Sequence, residues 1–438
     1  MNRAWTTLSL GSWASRLKSG NLRLVVENSA WLTFERLFRA VVGLLVGAWV
    51  ARHLGPERYG TLAYVLSYIA LFVPFATLSA DAIVVRNVVH SRETAGEVLG
   101  SAMALRVALG IAMWVAAAAS MAVVGGSREL TVLALIVAGT LLFQAADIAD
   151  LWFQSQSQSR RTVAAKLVSH VAGSAVKVML ILTDAPLEAF AAAALLETVL
   201  AAISLAVAYR RFGANERLTV STARMMSLVR EAWPFMLSGC AIMVYARVDQ
   251  LMIKQLLGAH DLGLYAAAMP LSQVWQMVPL TLAVSLAPFV SRLKGVDPLR
   301  YERTMVIVFR AFFYFGVLAT LVTLALSGWL VRLLFGVAYQ PAARILDVHV
   351  VSSSFCFLGI AHGLWLVNER RFAVRLWGTM LAGAATIALN ALLLPRIGVI
   401  GAAIAAVVAQ MIAAFLINAV LDRRGFRLQV EAITFIKS

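Results

Sequence analysis

Arg36 and Arg39 stand three residues apart, with Glu35 beside them, in a stretch from 29 to 53 that is otherwise mostly apolar. Residues three and four apart share one face of a helix. The two guanidinium groups therefore line up with Leu32, Gly43 and Gly47 on a stripe that is cationic at one end and small-sided at the other. Glu35, four residues before Arg39, is spaced to pair with it and leave Arg36 free; the alternative is that all three close into one interhelical ion-pair network. A second constellation, Arg247-Val248-Asp249-Gln250, interrupts the apolar run 231–257. Arg247 and Asp249 are two apart and point to different faces, so each needs another partner, while Gln250 lies on the side of Arg247. Guanidinium forks match phosphate oxygens bidentately, and a carboxylate in a dry site is a natural carrier for a proton or a sodium ion.

Further isolated charges complete the set. Arg106, Lys177 and Glu197 fall in three other apolar runs, and Asp81 follows a fourth. The candidate substrate-binding residues are Arg36, Arg39, Arg247, Gln250, Arg106 and Lys177; the candidate ion-coupling acids are Asp249, Glu35 and Asp81. Plainer readings stand beside these: a structural Lys177–Glu197 pair, and an acid from a neighbouring helix for Arg247. Asp147 and Asp150 are placed to clamp the basic stretch 158–166, Arg310 to snorkel inward, and His349 and His362 to sit in a core. Cys240 and Cys356 have no spacing partners, so no disulfide framework, metal site or catalytic constellation is indicated.

These charges need elements that hold them in a lipid solvent. Of 438 residues, 61% are hydrophobic and only 14% charged, far from the balance of a soluble domain. A crossing helix needs roughly 20 apolar residues, and twelve such runs occur, near 29–53, 59–79, 98–124, 129–153, 162–183, 186–209, 231–257, 261–291, 304–336, 341–367, 372–394 and 397–421. Their length and continuity lack the alternation of barrel strands, so the fold class is an all-α membrane protein. The net charge of +16 follows the membrane rather than a nucleic acid: 25 of the 38 Lys and Arg fall on segments that share a side with the N-terminus, 7 on the opposite loops and 6 inside helices. Basic residues are retained on the cytoplasmic side, which puts both termini there. The first residues contain no apolar stretch before a cleavage site and read as a cytoplasmic arm, 1–28.

The chain also repeats itself. Leu54-Gly55-Pro56-Glu57-Arg58-Tyr59-Gly60 realigns with Leu257-Gly258-Ala259-His260-Asp261-Leu262-Gly263 at an offset of 203 residues, and Trp31 and Trp233 precede them at nearly the same offset. Six helices separate the copies, so they share an orientation, which gives a parallel repeat of two six-helix lobes, 29–209 and 231–421. The polar stretch 210–230 joins the lobes and 422–438 forms a cytoplasmic tail. Pro74 in the second helix, and Pro270, Pro279 and Pro288 in the eighth, predict broken or bent helices.

Several stretches resemble the multidrug/oligosaccharidyl-lipid/polysaccharide exporter superfamily and, within it, the polysaccharide transporters. They are Ala51 to Gly60, Arg247 to Gln250, Leu257-Gly258 through Tyr265-Ala266-Ala267, Phe335 to Pro341, and Leu394 to Ala403, in that order. Ser79-Ala80-Asp81 departs from the glycine that such proteins carry before an acidic or polar residue. The resemblance implies a flippase of the bacterial cytoplasmic (inner) membrane. It would carry an undecaprenyl-pyrophosphate-linked oligosaccharide from inner to outer leaflet by alternating access, for surface polysaccharide such as O-antigen or exopolysaccharide. Twelve helices rather than fourteen favour this branch over the lipid II flippases. No bond is made or broken, no cofactor is implied beyond a coupling proton or sodium ion, and the implied partners are the lipid-linked glycan, membrane lipids and other polysaccharide-assembly proteins. The alternatives are a multidrug exporter, whose cavity would more often be acidic, and a membrane polymerase or glycosyltransferase. A glycosyltransferase would need paired acids in its first outer loop, where 54–60 offers only Glu57.

The charge distribution makes a direct prediction: a topology reporter fused after residue 215 reads cytoplasmic and one fused at 185 reads periplasmic. A reversal at either site would overturn the twelve-helix arrangement.

Overall fold

The structure, a computed structural model, describes residues 20–90, 92–124, 127–212 and 217–434. Most of the arm read at 1–28 lies outside the described residues; from Gly20 onward the chain is already helical. Among the described residues there is no strand, and eleven helices are long and apolar enough to cross a membrane. The first of these, Trp31–His90, is 60 residues long. Straight, it would reach about 90 Å at ~1.5 Å per residue, three times the hydrocarbon thickness. It turns back at Gly55, which has φ 72° and ψ 167°, so that Tyr59 lines one cavity together with Arg39 and Gly43. Twelve crossings result, as the hydropathy runs require.

They are α1 (20–54), α2 (56–90), α3 (Ala95–Val124), α4 (Arg128–Ser155), α5 (Ser159–Leu182), α6 (Leu187–Phe212), α7 (Thr222–Leu256), α8 (Ala259–Val296), α9 (Pro298–Leu334), α10 (Ala342–Asn368), α11 (Phe372–Ile397) and α12 (Ile400–Leu421). A short α13 (Arg423–Thr434) follows. Ile307 and Trp329 are more than 60% exposed, an outward apolar surface that suits lipid and not water.

The α1–α2, α7–α8, α9–α10 and α11–α12 connections turn through Gly55, Gly258, Gly336 and Gly398, all with φ between 67° and 106°. Gly55 and Gly258, the repeat-related pair, have ψ of 167° and 179°. That region is open to glycine almost alone, and it lets one helix end and the next begin within two residues. These four turns mark one end of the molecule, the glycine-turn end; the segments rich in Lys and Arg mark the other, the basic end.

Several helices are interrupted. α2 breaks at 71–72 and α8 becomes a tighter turn at Val274–Gln276, positions related by the same 203-residue offset. The α8 break lies between Pro270 and Pro279, where two ring nitrogens cannot donate. Packing divides along the membrane normal. Toward the glycine-turn end one core takes in both lobes, from Ala51, Val65 and Leu133 to Tyr265, Tyr339 and Ala403. Toward the basic end there are two separate cores, one around Leu99, Trp152 and Leu228 and one around Phe309, Phe357 and Trp365. The lobes are joined at one end and parted at the other.

The segment 210–230 is only partly a linker. Thr219 donates its N–H to Gly96 O at 3.3 Å, Ser221 donates to Ser101 Oγ at 3.0 Å, and α7 has begun by Thr222. The tail is clamped too. Asp422, 0% exposed, accepts from Trp365 Nε1 at 2.8 Å, Arg371 Nη1 at 2.9 Å and the Gly425 N–H at 3.3 Å, with His362 Nε2 at 3.1 Å. Burial alone would raise its carboxyl, but these hydrogen bonds outweigh it and hold the group below its ordinary value. Arg310 does not snorkel: its guanidinium donates to the carbonyls of Ala432 and Glu431, both at 3.1 Å, and so caps the C-terminal end of α13.

The turn geometry predicts that Gly258→Ala lowers stability by about 1–3 kcal/mol, the usual cost of a side chain in this backbone region. Gly295→Ala, at an ordinary position on α8 with open space around it, should cost nothing. Thermal unfolding of the detergent-purified protein checks both, and equal behaviour would refute the strain argument.

Candidate functional site

Between the lobes, α1 and α8 enclose a cavity of about 300 Å³. Gly43, Gly47 and Ala48 of α1 supply a small-residue wall. Pro270, Gln273 and Met277 flank the α8 break on the other side, and Arg39 stands at the edge toward the basic end. Arg39 lies about 22 Å along α1 from the Gly55 turn, deep enough that an unpartnered cation would cost roughly 3 kcal/mol. Its Nη1 is 3.3 Å from Glu35 Oε1, the i,i+4 pairing that the spacing allows. Arg36, one turn further toward the basic end, is exposed and makes no ion pair among the described residues.

The cavity is sealed at the glycine-turn end by a backbone crossing. A Cβ on Gly60 would overlap the Ala259 carbonyl, and a Cβ on Gly263 would overlap the Pro56 carbonyl. These two contacts are images of each other under the 203-residue offset, so the pseudo-twofold axis passes between them. Around them Tyr339 Oη donates to Ala51 O at 2.7 Å, and Ser67 Oγ donates to Gln250 Oε1 at 2.6 Å. Gln250 and Ser67 are both buried. In this state Gln250 thus joins the lobes.

The other candidate residues divide by partner. Arg106, 4% exposed, is paired with Asp81, so two groups assigned separate roles meet in one ion pair inside the first lobe. Lys177 Nζ is 2.6 Å from Glu197 Oε2, and His170 Nδ1 is 2.7 Å from Oε1 of the same carboxylate. Lys166 Nζ lies 2.5 Å from Asp150 Oδ2, which realises part of the expected clamp, with Asp147 near enough to feel both Lys166 and Arg106. Asp249 makes no ion pair among the described residues. Its Oδ1 accepts the Gln250 N–H at 2.7 Å and its Oδ2 accepts from Tyr265 Oη, with Arg247 within electrostatic range. Arg247 itself is partly exposed and makes no ion pair among the described residues.

Sequence reading missed Ser67 and Tyr265, the hydrogen-bond partners of Gln250 and Asp249, and Gln273, which lines the cavity. Gln273 could have been found, since it falls between Pro270 and Pro279 in the helix expected to break. Ser67 could not, because a lone serine in an apolar run more often bonds to its own helix.

A family model described as polysaccharide biosynthesis protein matches residues 25–294, and a model of an inner membrane exporter family, YdcZ, matches 348–433. No curated protein matches the chain in sequence. Among solved structures, the lipid II flippase MurJ in an inward closed conformation aligns at 14% identity over 92% of this chain and 90% of its own, with a TM-score of 0.73. A multidrug resistance MATE family transporter of the MOP superfamily, in an inward-facing conformation, aligns at 16% identity over 91% and 96%, with a TM-score of 0.72. A MOP superfamily transporter from Pyrococcus furiosus, described as having a binding pocket of reverse polarity, aligns at 16% over 95% and 96%, with a TM-score of 0.63. At these identities the likeness is one of fold.

The crossing predicts that Gly60→Val or Gly263→Val holds the lobes apart at the glycine-turn end. With Cys240 and Cys356 replaced by serine, a cysteine at Ala48 on the cavity wall should react slowly with a membrane-impermeant maleimide added from that side. It should react several-fold faster once either valine is present, and unchanged labelling would show that the crossing does not seal the cavity.

Proposed function

The chain belongs to the polysaccharide biosynthesis protein family, and on that premise we propose that it is a flippase for undecaprenyl-pyrophosphate-linked oligosaccharide, moving it from the inner to the outer leaflet of the bacterial cytoplasmic membrane by alternating access. The observation that carries the reading is the one-sided closure. The lobes share a core at the glycine-turn end and have separate cores at the basic end, with a cationic edge on the cavity between them. A cavity open to the basic end admits a headgroup from that side while the lipid tail stays in the bilayer. No bond changes, so the protein acts as a carrier and not as an enzyme.

Arg36 and Arg247, in helices related by the repeat, make no ion pair among the described residues, and Arg39 is exposed beside its partner Glu35. Their forks suit a pyrophosphate. A multidrug exporter shares the fold, but cationic drugs would be repelled by this surplus of guanidinium groups. Asp249, held by neutral donors, is the group we assign to the coupling proton or sodium ion, since a carboxylate without a fixed cation can exchange one.

Transport of a fluorescent lipid-linked glycan in proteoliposomes, with and without an imposed proton or sodium gradient, tests the assignment. Arg36→Ala and Arg247→Ala should each lower transport at least tenfold at normal protein level, with partial rescue by Lys, which keeps the charge but loses the fork. Asp249→Asn should remove the gradient dependence. Normal transport in the alanine variants would remove the arginines from the site, and an equal gradient response in wild type and Asp249→Asn would make Asp249 structural.

A further inference from the structure

A second cavity, about 640 Å³, lies elsewhere, inside the second lobe among α7, α8, α10, α11 and α12. It shares no lining residue with the inter-lobe cavity. Its position follows from three local features. Gly359 and Gly363 stand one turn apart on α10 and leave no side chain in its wall. The turn at Ile412–Leu416 in α12 is widened to a π-helix beside it, a distortion that often accompanies functional sites. α8 and α11 bound it on two sides. The volume falls within the range of small-molecule sites.

The cavity is graded in polarity along the membrane normal. Leu280, Ala283, Ala287 and Ile360 make its middle apolar, and the Tyr245 Oη to Gln410 Oε1 hydrogen bond of 2.7 Å closes its deep end. Toward the basic end, at the depth where α11 begins, stand Arg375 and Asn418. Arg375 is exposed, and its guanidinium makes no hydrogen bond or ion pair among the described residues. The acids nearby are already committed: Glu369 to Lys294 at 2.9 Å, Asp422 to Arg371 at 2.9 Å. Arg375 Nη1 instead lies over Gly363, 4.0 Å from where a Cβ would be, which turns the charge toward the cavity. Asn418 is 1% exposed. Its Nδ2 donates to Ala414 O at 2.8 Å and Gln429 Oε1 at 3.1 Å, and its buried Oδ1 has no partner among the described residues.

We propose that this cavity binds an anionic amphiphile of the leaflet at the basic end, its phosphate on Arg375 and the start of its apolar chain in the channel above. A neutral lipid would leave Arg375 without a counter-ion. Free phosphate would leave the apolar middle empty, and an unfilled apolar volume gains nothing from a small ion. The chemistry fits two sources, an anionic phospholipid of the bilayer or a polyprenyl phosphate. The assignment does not rest on the flippase reading, because it concerns a different cavity.

Native mass spectrometry of the full-length protein released from detergent, titrated with phosphatidylglycerol, a polyprenyl phosphate, phosphatidylcholine and inorganic phosphate, tests it. At least one of the two anionic amphiphiles should be retained about tenfold more tightly than phosphatidylcholine, and the one retained names the source. Arg375→Gln should abolish that preference, Arg375→Lys should keep part of it, and Gly363→Leu should reduce retention by filling the cavity. Equal retention of phosphatidylcholine, displacement of the amphiphile by inorganic phosphate at the same concentration, or unchanged binding in Arg375→Gln would each overturn the proposal. Arg375→Gln removes no hydrogen bond or ion pair among the described residues, and an unchanged thermal unfolding temperature for this variant separates a loss of binding from misfolding.

Discussion

Helices in a bilayer gain nothing from hiding apolar surface from one another, because lipid is as apolar as leucine; they hold together through close packing and the few hydrogen bonds they can exchange. The approach of Gly60 to Ala259 and of Gly263 to Pro56 is the extreme case, backbone against backbone with no room for a Cβ. Once α1–α2 and α7–α8 meet there, the neighbouring residues are forced into one shared core, and the two hydrogen bonds from Tyr339 and Ser67 come into range. The inter-lobe cavity is what lies beneath this contact. Its wall is smooth because Gly43 and Gly47 continue the small-residue surface down α1, and its far wall bends away because α8 is broken at Val274–Gln276.

The repeat carries the fold but not the chemistry. Gly55, Gly60 and the α2 break all have images at Gly258, Gly263 and the α8 break. The charges do not: Arg36 and Arg39 correspond by the same offset to Gly239 and Ile242, while Arg247, Asp249 and Gln250 correspond to Leu44, Val46 and Gly47. Backbone geometry has to be duplicated for two lobes to close on each other symmetrically. A ligand without twofold symmetry needs different groups on its two sides, so the side chains are free to differ. Gly239 makes the point from the structural side, since it is packed against Ser79 and Pro74 at the α2 break, where an arginine would not fit.

Much of the fold was legible because lipid leaves few alternatives. Run length gave the crossings, the basic bias gave their parity, and Leu-Gly at a fixed offset gave the two lobes. The motifs that carried the family resemblance turn out to be largely architectural: Gly55, Gly258, Gly336 and Gly398 are turn glycines, and Tyr339 joins the lobes. The candidate site was less legible. Spacing correctly puts Glu35 within reach of Arg39, because both are on one helix, but it cannot show that Asp81 reaches Arg106 from α2 to α3 or that Ser67 reaches Gln250 across 183 residues. Pairings between helices depend on rotation and depth, which an apolar run does not encode. Arg375 is not singled out by spacing for the same reason: its lack of an ion-pair partner among the described residues is visible only when Glu369 and Asp422 are seen to be occupied.

The bonds that join the lobes differ in kind between the two ends. At the glycine-turn end they are neutral, and among the described residues no ion pair crosses there. A few neutral hydrogen bonds worth about 1 kcal/mol each, Tyr339–Ala51 and Ser67–Gln250 among them, and a steric fit resist separation, which leaves parting the lobes within reach of a bound ion or ligand. At the basic end the first turns of α7 are tied to the first lobe by Arg86–Glu231, by Arg224–Glu97 at 3.9 Å and by the packing of Gly239 on Ser79. Yet from Tyr245 onward the same helix is tied to the second lobe, through Gln410 of α12 and its packing along α11. α7 therefore belongs to both bodies. Any rocking that opens the glycine-turn end while closing the basic end has to be absorbed between Gly239 and Tyr245, just beyond Pro234, whose ring has already removed one hydrogen bond from the helix.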